Sequence, residues 1–373
     1  MAHSFNNEAL IYCISGTGNS LLSAGWVRAL FEKENYKAQL IRIENSKLTA
    51  EIIERNPEYI VVTGPVHGFT LPWMLIKFFL RLPRGKGRKA ITIISRAGIR
   101  IGKVFPPGLS GTSNYLAALI LRLKGYRIRG FLAVDLPSNW LSIHPPVRRH
   151  VAEKIIALGQ RKVERFMNKI FAGKNAWLTL DNIYEFIFGI GLIYVSFLYL
   201  IIGRFGLAKL YFTNEKCDGC KICAESCPVG AIELWGMKKD KPYWTYNCES
   251  CMRCMNLCPR KAIETHHGYL AWLIWVTTFS LSSYLLIHYN DIIPGMELIR
   301  SGSGRFIVDL IYVYPAIFIS YFLFYFLSRI PIMNKFFSRT ALTHYYGRYI
   351  APGTKKALSK KFKKRKDHHS MKN

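Results

Sequence analysis

Apolar residues fall in short, bounded runs through the first third of the chain and in long runs only after residue 176. Runs at 9–14, 38–43, 59–63, 90–95 and 130–134 are strand-length, and amphipathic or polar stretches at helical spacing separate them. This alternation predicts an α/β domain over residues 1–147, a doubly wound parallel sheet with helices on both faces. Cys13, inside the run LIYCI, reads as a buried strand residue.

Three later runs, 183–203, 269–289 and 306–330, each approach the roughly twenty residues that span hydrocarbon. The last two are rich in Leu, Ile, Phe, Trp and Tyr, carry aromatics near their ends and hold only Asp309 as an interior charge, so both read as transmembrane helices. The stretch 148–174 and the tail from 335 onward are strongly basic, whereas the loop 290–305 has two acids and two arginines. The excess of positive charge on cytoplasmic segments puts that loop outside and both basic regions inside. Two crossings satisfy this placement and three do not. The run 183–203 is therefore expected to be re-entrant, interfacial or packed on other helices, with Gly189 and Gly191 as a bend; one clean crossing is the alternative.

The chain of 373 residues is 50% hydrophobic and 14% aromatic and carries a formal net charge of +29. That charge calls for a polyanionic neighbour: nucleic acid, anionic lipid or an acidic protein. The lysine clusters at 355–366 read as a solvated arm drawn to anionic lipid. Without a recognition fold, nucleic acid is not an expected partner.

Eight of nine cysteines repeat one pattern, Cys217-x2-Cys220-x2-Cys223-x3-Cys227-Pro228 and Cys248-x2-Cys251-x2-Cys254-x3-Cys258-Pro259. Three thiolates on one tight loop cap three irons of a cubane, and the fourth iron takes its ligand from elsewhere. The pattern predicts two 4Fe-4S clusters in a small α+β domain over 211–267, one on Cys217, Cys220, Cys223 and Cys258, the other on Cys248, Cys251, Cys254 and Cys227. Zinc favours separated pairs or mixed Cys/His sets. Disulfides favour a secreted chain, and the polar opening MAHSFNNEA is unlike a secretory leader.

The first strand runs into Ser15-Gly16-Thr17-Gly18-Asn19-Ser20 and then into a helical stretch. Free backbone N–H groups and the dipole at a helix start favour a phosphate dianion; the bland reading is a tight turn. The loop lacks a P-loop lysine and does not fit GxGxxG, which argues against ATP and NAD. These residues resemble the flavodoxin family. The resemblance implies a five-stranded sheet with FMN at the carboxyl ends of the strands, its phosphate on Ser15, Thr17, Gly18, Asn19 and Ser20. It also implies ring contacts from Pro65, His67, Gly68 and Phe69 after the third strand, and from Arg96 and Gly98 after the fourth. The second of these loops, Arg96-Ala97-Gly98-Ile99-Arg100, is basic, and a cation there is expected to raise the flavin potential. His67 alone also reads as an ordinary loop side chain.

The order of the two domains resembles a prokaryotic family of flavodoxin and ferredoxin fusions, here with added membrane segments. That resemblance covers residues 9–267 and implies electron transfer between the clusters and FMN. The expected whole is a cell-membrane protein with its redox domains facing the cytoplasm, a basic helix and apolar segment over 148–210, two transmembrane helices in 268–330 and a basic cytoplasmic tail at 331–373. Its partners would be membrane lipid and a ferredoxin, membrane oxidoreductase or quinone. An accessory, assembly or redox-sensing protein without turnover and a ferredoxin-dependent reductase of a specific metabolite are the alternatives. His266 and His267 read as a solvated interfacial pair, or else as haem or quinone contacts.

Overall fold

In the computed structural model the described residues are 6–44, 56–236, 240–278, 303–355 and 358. Strands β1 (Asn6–Cys13), β2 (Lys37–Arg42), β3 (Pro57–Pro65), β4 (Lys89–Gly98) and β5 (Arg127–Pro137) form one sheet in the order β2-β1-β3-β4-β5. All four pairings are parallel. The interior strands are near-continuous Val, Ile, Leu and Ala, as a sheet buried on both faces requires. Edge strand β2 instead exposes Lys37 and Gln39, which discourages pairing with another chain. Helices α1 (Asn19–Lys33) and α4 (Arg149–Phe171) cover one face around Val27, Phe31, Val163 and Met167. The other face is covered by α2 (Trp73–Arg81) and α3 (Ser113–Leu123), packed around Leu75, Phe78, Phe79 and Leu121. This strand order is the flavodoxin-like one, and it reverses direction between β1 and β3, where a crevice opens at the carboxyl edge.

The apolar run 183–203 is neither one helix nor a free one. It comprises α5 (Leu180–Gly191), α6 (Ile193–Leu198), a π-helical turn (Tyr199–Gly203) and α7 (Arg204–Ala208), with a 70° bend beside Gly191. Polar groups fasten it to the sheet domain. Asn182 donates to the Phe131 carbonyl at 3.2 Å, Ser196 to the Phe69 carbonyl at 2.9 Å, and the buried Glu185 accepts from the Ser110 and Gly111 amides. Its other face leaves Phe186, Ile187, Ile190, Tyr194 and Phe197 exposed.

The cysteine domain is a pseudo-twofold pair of halves. Antiparallel β6 (Tyr211–Thr213) and β9 (Ile263–Thr265) match antiparallel β7 (Ile232–Trp235) and β8 (Lys241–Trp244), with α8 (Ile222–Ser226) and α9 (Arg253–Leu257) in corresponding places. Apolar α10 (His267–Thr278) packs on α11 (Ser303–Leu327), the ring of Tyr269 stacking on that of Phe324 at 4.1 Å. Among the described residues no single helix is long and apolar enough to cross a membrane; besides the bent segment above, Tyr312–Leu327 with α12 (Pro331–Thr340) reaches that length through a 112° bend. Residues 279–289 and the loop 290–302 of the expected membrane region lie outside the described residues, as does nearly all of 355–366.

Two expectations change. The segment from 331 is not simply a tail: after α12 and a 3-10 turn it runs back across both redox domains, Tyr349 N–H donating to Asn256 at 2.8 Å and Ala351 N–H to the Thr17 carbonyl at 2.9 Å. His266 is not solvated either. It is buried against Phe212, Phe324 and Phe337, bonds Thr340 at 3.0 Å, and burial holds its imidazole down to about 4.

Candidate functional site: a cleft between the phosphate loop and a cysteine loop

The crevice at the carboxyl edge is walled by Ser15, Gly16, Thr17, Asn19 and Ser20, by Pro65 to His67, by Ser95 to Ala97, and by Pro137 to Trp140 with His144. Its remaining wall is Ser250, Cys251 and Met252 of the second cysteine run. The cleft encloses about 130 Å³.

The loop between β1 and α1 has the shape of an anion cradle. Gly18, at φ 103°, caps α1 without a side-chain bond, and no acid occupies the first turn. The leading amides of a helix have no intrahelical partner and present a partial positive charge. The loop side chains hold the surrounding elements: Ser15 Oγ accepts from Gly18 N–H at 3.0 Å, Asn19 donates to the Pro137 carbonyl at 2.8 Å, Ser20 shares a hydroxyl bond with Ser95 at 3.1 Å, and Thr17 accepts from Asn139.

On the ring side, His67 and Trp140 stack at 5.6 Å with planes 21° apart. Among the described residues, His67 Nδ1 and Trp140 Nε1 are buried without a hydrogen-bond partner. Burial holds the His67 imidazole down to about 4, so it is neutral at pH 7. Together they form an aromatic wall with two polar atoms lacking partners.

The other expected ring contacts are placed differently. Gly68 and Phe69 sit beneath the bent apolar segment: a Cβ on Gly68 would lie 2.1 Å from the Tyr199 ring, and the Phe69 carbonyl is taken by Ser196 and Thr112. Gly98 is packed between Leu136 and Ile155, away from the cleft. The backbone at Arg96 reaches the cleft, but its guanidinium does not act as a free cation. It pairs with Asp135 at 2.8 Å, Asp181 at 2.9 Å and Glu185, and Lys162 joins the acids at 3.1 Å. Two cations against three carboxylates leave no positive charge there to raise a flavin potential. Arg100 is turned outward and donates to the Gly102 carbonyl.

The four cysteines expected to share one cluster, Cys217, Cys220, Cys223 and Cys258, line one cavity together with Pro259. Cys227, Cys248, Cys251 and Cys254 are each other's electrostatic neighbours. Matching amides point at matching sulfurs, Ala231 N–H to Cys227 Sγ at 3.2 Å and Ala262 N–H to Cys258 Sγ at 3.3 Å. Burial pushes the Cys251 thiol up to about 11 and that of Cys223 to about 12, so iron binding must displace protons. Among the described residues no three His, Cys, Asp or Glu side chains close on a single ion; a cubane spreads its thiolates over four irons.

The second cysteine run is also the domain interface. A Cβ on Gly16 would lie 2.1 Å from the Cys251 carbonyl oxygen, so glycine is what lets the loops touch. Glu249 caps α2, accepting from Trp73 N–H at 3.1 Å and Met74 N–H at 3.0 Å. Arg253 donates to the Gly16 carbonyl at 3.1 Å and the Ser15 and Ser226 carbonyls, and pairs with Glu44 at 3.3 Å. Sequence reasoning missed Asn139, Trp140, Glu249 and Arg253. Trp140 was findable because it follows a strand at the carboxyl edge; Glu249 and Arg253 needed a comparison of the two halves, where Asp218 and Ile222 stand in their places.

Residues 216–265 match the family of 4Fe-4S dicluster domains, so two 4Fe-4S clusters are the cofactors of that segment. No protein among the curated ones matches the chain. Solved structures similar to it include the flavodoxin of Megasphaera elsdenii in its two-electron reduced form (18% identity, 42% of this chain and 98% of that one, TM-score 0.28). Flavodoxin 1 of Bacillus cereus (18%, 42% and 96%, 0.28) and a flavodoxin variant of Pseudomonas aeruginosa (16%, 42% and 99%, 0.28) are others. The strand order carries the fold assignment without them.

Proposed function

We propose that the chain is a membrane-associated electron-transfer protein in which an FMN in the cleft exchanges electrons with the cluster on Cys227, Cys248, Cys251 and Cys254. The observation that carries this reading is the contact of Gly16 with Cys251, since one wall of the cleft is the ligand loop itself. The residues fit the group. The uncapped start of α1 suits a monophosphate, and the unpartnered His67 Nδ1 and Trp140 Nε1 suit a polar aromatic ring. At about 130 Å³ the cleft is smaller than pockets of roughly 300 Å³ or more that enclose a whole ligand, so the ring edge stays outside or the His67 and Trp140 loops part.

Bound flavin would supply the exchange between one-electron and two-electron carriers. The chain's contribution is positional: α1 holds the phosphate end, His67 and Trp140 orient the ring, and Arg253 and Glu249 keep the two domains at contact distance. The exposed apolar face of α5 and α6 supports seating at a bilayer surface, with α10 and α11 inserted and the redox domains on the cytoplasmic side. A soluble one-electron carrier or a membrane oxidoreductase and a quinone-like molecule are the partners proposed. Anaerobic purification in detergent tests this: about eight irons with one FMN per chain supports it, and full iron without flavin contradicts it.

A further inference from the structure

The two halves repeat at a spacing of 31 residues, Cys217 to Cys248, and the ladder pairs obey the same shift, Thr213 with Ile263 matching Trp244 with Ile232. The shift places Lys209 opposite Asp240, each eight residues before the first cysteine of its half. The two carry opposite charge.

Lys209 is fully buried. Its ammonium donates to the Trp244 carbonyl and lies over the rings of Tyr321 at 4.4 Å, Tyr246 at 4.7 Å and Tyr243 at 5.1 Å. Among the described residues no carboxylate forms an ion pair with it. A buried lysine normally has one. Trp244, its hydrogen-bond acceptor, packs in the core that wraps the cysteines, Cys248 included. The other buried charges near this quartet are spoken for: Arg253 by Glu44, and Glu249 by the amides that start α2. In the outer half, Asp240 lines the cavity with Cys217, Cys220, Cys223 and Cys258. Lys241 beside it donates to the Cys217 carbonyl at 2.8 Å and Cys220 is exposed, so charge there is offset and screened.

We propose that Lys209, acting against Asp240 at the matching position, orders the two clusters in potential and so gives electron flow a direction, from the Cys220 side inward to the Cys251 side and the cleft. A buried cation without an ion-pair partner, Glu233 acting on it only through space, stabilises the reduced, more negative form of a nearby cluster, and an anion disfavours it. A soluble one-electron donor reduces the exposed cluster; one electron then leaves it, reoxidising it as the inner cluster is reduced, with no bond made and no proton moved. The proposal rests on the electron-transfer reading above, though it does not need flavin to be bound.

The test is an EPR-monitored redox titration of the detergent-solubilised, iron-loaded full chain, with dithionite as reductant. Two waves are expected. Lys209→Met should shift the higher wave to lower potential and leave the lower one nearly in place, Lys209→Arg should restore most of the shift, and Asp240→Asn should raise the lower wave by less. The proposal is overturned if K209M at full iron content moves neither wave, moves both equally or moves the lower one. Should K209M lose iron, D240N decides: an upward shift of the lower wave alone supports the pairing, and no shift overturns it. Failure of the electron-transfer reading looks different, as a protein with two ordered waves that never reduces a bound acceptor.

Discussion

The two cysteine runs have identical spacing and ladders in corresponding register, yet one faces solvent and the other faces a second domain. In the outer run Cys220 is exposed and Asp218 pairs with Arg260 at the surface. In the inner run the corresponding acid, Glu249, is buried as a helix cap, and the residue matching Ile222 is Arg253, holding the phosphate loop by its carbonyls. The cysteines assign both halves the same chemistry, and in the proposed electron route the residues between them set the place of each half. A repeated motif therefore says what the halves hold, and its departures from symmetry say what each is for.

The largest effect that sharpens this contrast is expected from Cys251→Ser, which should remove the inner cluster and uncouple the cleft, while Cys220→Ser removes only the outer one; iron content with EPR distinguishes them. Next, Arg253→Leu takes a donor from the Gly16, Ser15 and Ser226 carbonyls, while Glu44 keeps its pairing with Arg42 at 2.6 Å. It should cost about 1–3 kcal/mol of stability, the range for leaving buried acceptors unsatisfied, read as earlier unfolding of the α/β domain in the full chain; the same change at Ile222 should cost far less. Gly16→Ala should force the loops apart at Cys251 and slow electron passage between flavin and cluster, with flavin content changed little.

The smallest effect is a pH dependence. Burial holds the Lys209 ammonium down to about 8, so it loses its proton as pH rises through that value. Among the described residues the ammonium faces Tyr243, Tyr246 and Tyr321, with Cys248 and Glu233 as the other ionisable neighbours, so the inner cluster's potential should fall there while the outer cluster's stays level. Since the unfolded lysine keeps its proton to about 10.5, the unfolded state binds more protons between these values and stability rises with pH in that window. Potentiometry at three pH values checks the first statement, and denaturant midpoints check the second.

Most of the architecture was legible in the sequence because it is written in local signals. Five bounded apolar runs gave all five strands, and the loop before Asn19 marks the start of α1. The cysteine spacing located the dicluster segment. Hidden were the contacts made across long sequence separations. Arg96 reads as a free cation until Asp181 and Glu185, more than 80 residues later, are seen to neutralise it. Residues 183–203 read as an apolar run, and only their packing shows that Asn182, Glu185 and Ser196 form a polar seam with an exposed apolar face opposite. Likewise His266 and the stretch around Tyr349 and Ala351 read as solvated by composition, whereas the fold buries the first and fastens the second to Asn256 and Thr17.

The most direct test of the central claim follows electrons from dithionite into the flavin by anaerobic stopped-flow, in Cys220→Ser beside Cys251→Ser, both with the remaining cluster verified by EPR. Contact between the cleft and Cys251 predicts that flavin bleaching slows severely when the inner cluster is lost, whereas in Cys220→Ser the inner cluster, reduced directly by dithionite, still passes its electron to the flavin. Bleaching in Cys251→Ser at the rate of the unsubstituted protein would contradict the account, because the flavin would then be reduced by a route that does not pass through the inner cysteine loop.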